Sequence, residues 1–240
     1  MLLLCSFPLR IYGQSPYFSL GILFPFLGFC TALIPIPLVM KYYAIHCEGQ
    51  EDRKKNLQKL SNVLGSPITL QLTKLTPFLS ERVSDCTRNH IEALTKFLNT
   101  EEQEAVIFED DTVIIDFDGF RQFYLDAPAC DILYFGVKEY VSATFQAKSN
   151  YVKTTRSWGV HAYLVNRWAA TCIVNEYNFI KANNPESKIK TLPPDWLINY
   201  SIQDFELNAY GPKDPSEYCL QKGHSLVSPT DVSYLYNPSF

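Results

Sequence analysis

No two cysteines stand at CxxC spacing, and no HExxH is present. The seven cysteines, Cys5, Cys30, Cys47, Cys86, Cys130, Cys172 and Cys219, are widely separated, and the four histidines, His46, His90, His161 and His224, are equally scattered. That spacing argues against a zinc framework and against a dense disulfide scaffold. Positive charge is scarce: 21 Lys and Arg stand against 25 Asp and Glu, a net charge of −4. A nucleic-acid partner calls for a basic patch or stripe. The one Lys-rich stretch, "DRKKNLQK", is short and reads as the solvated face of a helix. No internal repeat or low-complexity stretch follows Met40. From Ile11 to Met40 there is no charged residue at all.

The charge-free run "YFSLGILFPFLGFCTALIPIPLVM" is long enough to cross a bilayer, which takes about 20 apolar residues. Arg10 precedes it and Lys41 follows, so orientation is poorly specified. Pro25, Pro35 and Pro37 weaken it as a helix. No small-residue cleavage site stands out, which favours an anchor over a removable signal peptide. Alternatively, Met40 opens the folded part and the leader is an upstream extension. The expected organisation is a leader over 1–40, membrane anchor or non-domain extension, and one domain over 41–240. Localisation follows the leader: single-pass membrane in the first case, cytoplasmic in the second. A sequon, "NYS" at Asn199, matters only in a secretory compartment.

What remains is globular in composition, 47% hydrophobic and 19% charged. "YYAIHC" is a short apolar run of the kind a buried parallel strand shows. "EDRKKNLQKLSNVLG" then places Leu57, Leu60, Val63 and Leu64 at helical spacing, with Gly65 as a stop. "PITLQLT" alternates like a strand. Ser84 or Asp85 is a candidate cap for a helix carrying Ile91, Leu94, Phe97 and Leu98 on one face. "EAVIFED" and "CDILYFG" read as strands. "HAYLVNRWAATCIVNEYNFIKAN" begins as a strand and continues as a helix. Strands alternating with helices indicate an α/β fold with a mainly parallel central sheet. Such sheets bind ligands at the carboxyl ends of their strands.

The stretch "VIFEDDTVII", residues 106–115, puts Glu109, Asp110 and Asp111 at such an end. Two enzyme readings arise. In the first, Glu109 and Asp111 present oxygens to a hard cation, Mg²⁺ or Mn²⁺, of the kind that bridges to substrate phosphates. In the second, "TVIIDFDGF" resembles the DxDGT loop of haloacid-dehalogenase-type phosphohydrolases, with Asp116 as nucleophile and Asp118 as general acid. Phe120 stands where that loop has Thr or Val, and no GDxxxD-like motif follows. A solvated acidic turn is the plain alternative to both.

Together with its neighbours, "FEDD" resembles the acidic motif of glycosyltransferase family 25, which includes lipopolysaccharide glycosyltransferases and procollagen galactosyltransferases. "YYAIHCEGQEDRKKNLQKL" is similar to the family's opening strand and helix, with Asp52 and Arg53 aligned and "IHCEGQ" in place of INLDRR. "CTRNHIEAL" is similar to the CxxSH segment, with Cys86 and His90 in place and Asn89 where Ser is usual. "CDILYFG" and "SWGVHAYLVNRWAA" match two further segments, the latter through Gly159, Ala162, Tyr163 and Ala169. "LPPDWLI" puts Asp195 where the family has an aspartate. The match covers roughly residues 41 to 206.

The resemblance implies a GT-A fold, a nucleotide-sugar donor (a UDP-sugar), a hydroxyl acceptor on a glycan or protein, and inversion at the anomeric carbon. It implies Mn²⁺ or Mg²⁺ on Glu109 and Asp111, with Arg53, His90, Asp110 and Gly159 toward the donor. A carboxylate must take the acceptor's proton; Asp195 is the candidate, with Asp204 and Glu206 in reserve. Trp158 and Trp196 are candidates to stack on a sugar. The expected partners are donor and acceptor, no nucleic acid, and membrane contact through residues 11–40 if the leader is an anchor. The competing reading is a glycosyltransferase-like fold without activity, serving as an interaction module.

Overall fold

A computed structural model describes residues 40–222 apart from 75, 77, 146–148 and 185–188. The leader, Met40 excepted, lies outside the described residues. No described helix is long and apolar enough to cross a membrane.

Strand β1 (Lys41–Cys47) is buried at every position after Lys41, and β3 (Glu104–Glu109) and β5 (Ile132–Gly136) are equally apolar inside. Strands covered on both faces need such unbroken apolar runs. With β2 (Ile68–Thr73), β6 (Glu139–Phe145), β7 (Tyr151–Trp158), β8 (Ala162–Asn166) and β9 (Ala209–Pro212) they form one eight-stranded sheet in the order β2-β1-β3-β8-β5-β9-β7-β6. Only β7 and β8 run against the other six strands. The sheet is therefore mainly parallel, as the sequence pattern indicates. A two-stranded antiparallel ribbon, β4 (Thr112–Ile114) with β10 (Cys219–Gln221), stands apart.

Helix α1 (Glu51–Leu64) carries Glu51 and Asp52 in its first turn, where negative charge suits the helix dipole. It stops at Gly65, whose φ of 62° is left-handed and fits glycine. Of the four expected apolar-face residues Leu57 and Leu60 are buried, while Val63 is 48% exposed. Helix α2 (Leu79–Leu98) starts earlier than the expected Ser84 or Asp85 cap. Phe78 stands at its N-cap with no side-chain bond. Asp85 lies inside the helix and accepts from Arg88 instead, a local i,i+3 pairing that short acidic side chains make readily.

Helices α2, α4 (Arg167–Asn183) and α5 (Pro194–Asp204) share one core with the sheet. Leu94 and Phe97, Ile173, Leu197 and Ile198 meet Tyr43, Ile107, Tyr134 and Tyr163 there. Helix α3 (Phe117–Leu125) belongs to a second apolar cluster, its Phe120 ring 4.2 Å from Phe135. The hairpin β6–β7, strand β9 and helix α5 have no counterpart in the sequence reading. This layout puts the carboxyl ends of β1, β3 and β5 and the amino end of β8 along one edge, tied by Glu109 N–H to the His161 carbonyl and His161 N–H to the Gly136 carbonyl.

Candidate functional site

The acidic turn leaves β3 at that edge; Asp110 and Asp111 both meet Arg53, while Glu109 faces α2. Asp110 is 3% exposed and turns toward β1 and α1. One carboxylate oxygen accepts from the Cys47 N–H at 2.9 Å and lies 2.9 Å from His46 Nδ1. The other accepts from Arg53 Nη1 at 2.5 Å. Asn56 Nδ2 donates to the carbonyls of Asp110 and Thr112, which fastens α1 to the turn. Both oxygens of this buried carboxylate thus have partners inside the chain.

Asp111 is as deeply buried. Its Oδ2 lies 3.2 Å from Arg53 Nη1 and accepts from Gln221 Nε2 at 3.1 Å. Its Oδ1 is buried with no hydrogen-bond partner. Burial, and then the charge of Glu109, push its pKa up to about 7.

Glu109 turns toward α2. Its Oε1 lies 3.8 Å from Cys86 Sγ and 3.7 Å from His90 Nε2. Burial, with Asp110 and Asp195 adding, raises its pKa to about 7. Cys86 and His90 sit one helical turn apart on the same side of α2, as i,i+4 spacing requires. His90 Nδ1 lies 3.1 Å from the Tyr163 hydroxyl, and the two rings stack at 5.9 Å. Burial lowers His90 to about 4, so the ring is neutral. Burial raises the Cys86 thiol well above its ordinary value.

Asp195 stands in the first turn of α5. Its Oδ2 accepts from the Gly159 N–H at 3.2 Å and its Oδ1 from the Trp196 N–H at 3.0 Å. Burial raises its pKa, and its charge in turn raises those of Cys86, His90 and Glu109. Gly159 has φ 62°, and a Cβ there would come 2.7 Å from Lys138 Cβ. The glycine is required by its backbone and by that close approach.

The structure thus brings Arg53 to Asp110 and Asp111, His90 to Glu109, and Gly159 to Asp195. Asp204 does not join them: it ends α5 nine residues after Asp195, about 13 Å along the axis at the usual helical rise. Glu206 is exposed just beyond. Asp116 caps α3, accepting from the Gly119 N–H at 2.9 Å, and Asp118 lies in that helix's first turn. The strand before them, β4, pairs with β10 and is not part of the large sheet. The phosphohydrolase reading needs that loop at the end of a central strand.

His46, Asn56, Gln221, His161 and Tyr163 hold the site together, and no site role for them is legible in the sequence. Only Tyr163 carried a signal, through its motif position. A cavity of about 550 Å³ opens beside α3 and β7, between Phe123, Tyr151 and Tyr218, and none of the acidic candidates lines it.

No protein-family model and no curated protein matches the chain. Solved structures resemble it at low identity. Mannose-1-phosphate geranyltransferase from Thermus thermophilus is 9% identical, with 72% of this chain and 73% of that one covered and a TM-score of 0.42. A glycosyltransferase involved in glycosylation of the major capsid of PBCV-1 is 11% identical, covering 61% and 68%, at a TM-score of 0.38. A Drosophila β1,4-galactosyltransferase 7 mutant, in complex with manganese, UDP-Gal and xylobiose, is 9% identical, covering 77% and 72%, at 0.40.

Proposed function

We propose that the chain is a metal-dependent glycosyltransferase that moves a hexose from a UDP-sugar to a hydroxyl on a glycan or protein, with inversion. The observation that carries the reading is the pair Glu109 and Asp111 at the carboxyl end of β3. Both carboxylates are raised to about 7, and Asp111 Oδ1 has no partner. One shared arginine does not neutralise three adjacent acids. An oxygen-rich, under-neutralised site fits a hard cation such as Mn²⁺ or Mg²⁺. Glu109 and Asp111 would hold it. Bound there, the cation neutralises charge on the departing diphosphate.

The chain's own residues supply the rest. Arg53, fixed by Asp110, adds positive charge beside Asp111 on the diphosphate side. Asp195, its pKa raised by burial, takes the proton from the acceptor hydroxyl as that oxygen attacks the anomeric carbon from the face opposite the leaving group. Attack from that face inverts the centre. His90 is neutral and donates no charge. Membrane contact through residues 11–40 and a boundary at Met40 are parts of the same proposal.

A screen of UDP-sugars with Mn²⁺ against hydroxyl acceptors tests the reading, with the product anomer read by NMR. Asp111→Asn is expected to abolish Mn²⁺-dependent donor binding and keep the fold, because one charge and one ligand oxygen are lost. Unchanged Mn²⁺ dependence in that variant overturns the metal assignment. The second reading, an inactive interaction module, is favoured by one observation: Arg53 is already committed to Asp110 and Asp111. It predicts no nucleotide-sugar binding in Mn²⁺ by calorimetry.

A further inference from the structure

We infer that Cys86 Sγ, His90 Nε2 and the Glu109 carboxylate form a binding site for a borderline divalent cation of the zinc type, with a fourth position open to water or a substrate oxygen. Their ligand atoms all lie within 4.8 Å of one another. Two of the separations are 3.7 and 3.8 Å, both to Glu109 Oε1. Tetrahedral zinc, with bonds of about 2.0–2.3 Å, has ligand-to-ligand edges of roughly 3.3–3.8 Å. The pairs stand near that spacing without a rearrangement of the backbone. An octahedral hard cation, with bonds of about 2.0–2.1 Å, needs edges near 3.0 Å.

The second observation is the state of His90. Its side chain is buried, and Nε2, the atom that faces Glu109, has no hydrogen-bond partner. A buried ring nitrogen without a partner is costly and rare. The other nitrogen is held by the Tyr163 hydroxyl, and the ring is stacked on the Tyr163 ring. That is the arrangement metal-bound imidazoles show: one nitrogen on the cation, the other oriented by an outer partner. A thiol, an imidazole and a carboxylate together select zinc-type cations over Mg²⁺ or Ca²⁺. On binding, the Cys86 thiol gives up its proton to solvent and the thiolate becomes the ligand.

This inference does not rest on the transferase reading. Glu109 and His90 enter both, Cys86 serves only this one, and Asp111 only the other. The test uses Co²⁺ as a spectroscopic stand-in for zinc, added to chelator-stripped full-length protein. One equivalent of Co²⁺ is expected to give a near-ultraviolet thiolate-to-cobalt charge-transfer band with visible bands of tetrahedral intensity, displaced by Zn²⁺. Cys86→Ser is expected to lose the charge-transfer band, and Cys130→Ser to keep it. Tyr163→Phe is expected to weaken Co²⁺ binding about 10–100-fold, the usual effect of removing an outer partner. Asp111→Asn is expected to leave the Co²⁺ spectrum unchanged even where Mn²⁺-dependent donor binding is lost. Absence of the band in the unmutated protein, or its survival in Cys86→Ser, overturns the inference. The first of these outcomes needs no variant to fold.

Discussion

Asp110 and Glu109 are adjacent in sequence and opposite in surroundings. Asp110 is met by a backbone N–H, an imidazole and a guanidinium. Glu109 is met by a thiol and a ring nitrogen at 3.8 and 3.7 Å, neither of which supplies charge. One half of the turn is therefore complete without a ligand, and the other half is not. The difference teaches where to look for function. A buried acid with its partners inside the chain positions its neighbours, whereas a half-buried acid short of partners is poised for something from outside.

The largest effect is expected on the complete side. Asp110→Ala leaves the Cys47 N–H and His46 without an acceptor and halves the charge opposite Arg53. Removing one member of a buried, hydrogen-bonded ion pair costs about 3–5 kcal/mol. Urea unfolding of the metal-free protein measures it. A loss under 1 kcal/mol would show that the Arg53–Asp110 contact is not maintained in solution.

Neutralising the neighbour should have the opposite sign. Glu109 rises from an ordinary 4.5 to about 7, so the folded state holds a proton that the unfolded chain releases. That contribution is fully present below about pH 4.5 and is lost as pH climbs through 7. Asp111 acts in the same direction. His90, depressed to about 4, opposes them: its contribution is present above 6.5 and is lost as pH falls to 4. Two acids against one histidine leave the metal-free protein less stable at pH 8 than at pH 5. Each pKa unit is worth about 1.4 kcal/mol, so Glu109→Gln should stabilise the stripped protein by at most about 3.5 kcal/mol at pH 8. It should do nearly nothing at pH 4. Chelator-treated melts across this range decide it; destabilisation by Glu109→Gln at pH 8 would mean that Glu109 has a partner equivalent to Arg53.

How much of this was legible in the chain depends on the range of the contact. Strands β1, β3, β5 and β8 declare themselves because a sheet covered on both faces demands unbroken apolar runs. The α1 stop is legible because Gly65 needs a left-handed backbone. The hairpin β6–β7 is not: β6 is largely exposed, so its sequence lacks the apolar run that marks a buried strand. The start of α2 is not legible locally, because Ser84 and Asp85 have cap chemistry while Phe78, which occupies the cap, has none. The acidic turn could be flagged as a place, but not resolved into three fates. Arg53 meets Asp110 across 57 positions and Gln221 meets Asp111 across 110, and no local pattern encodes either meeting. Cys86 and His90 are a local i,i+4 pair. Glu109 reaches them from strand β3, a meeting that the spacing of cysteines and histidines along the chain does not reveal.

A smaller effect separates packing from positioning on the incomplete side. Tyr163→Phe keeps the ring stacked on His90 and removes only the hydroxyl 3.1 Å from Nδ1. A buried imidazole nitrogen left without its partner costs about 1–3 kcal/mol. Denaturant midpoints at constant slope read the loss, and a neutral result would mean that His90 rotates to find another acceptor or donor.

The smallest effect lies outside the comparison and tests its boundary. Asp116 is only five residues beyond Asp111, but it is exposed and its side chain accepts from the Gly119 N–H of its own helix. Its role is to satisfy an amide at the start of α3, which a side chain at the N-cap does for about 1 kcal/mol. Asp116→Ala should therefore lower stability by about that much, leave Co²⁺ and Mn²⁺ binding as they are, and leave any transferase turnover in place. The decisive measurement is chemical: incubation with phosphoryl donors followed by mass spectrometry of the peptide around Asp116. An aspartyl-phosphate trapped there would restore the phosphohydrolase reading and place the reactive aspartate at the start of α3. An unmodified peptide, with only the cap energy lost, leaves Asp116 a structural cap and the proposal on Glu109 and Asp111 standing.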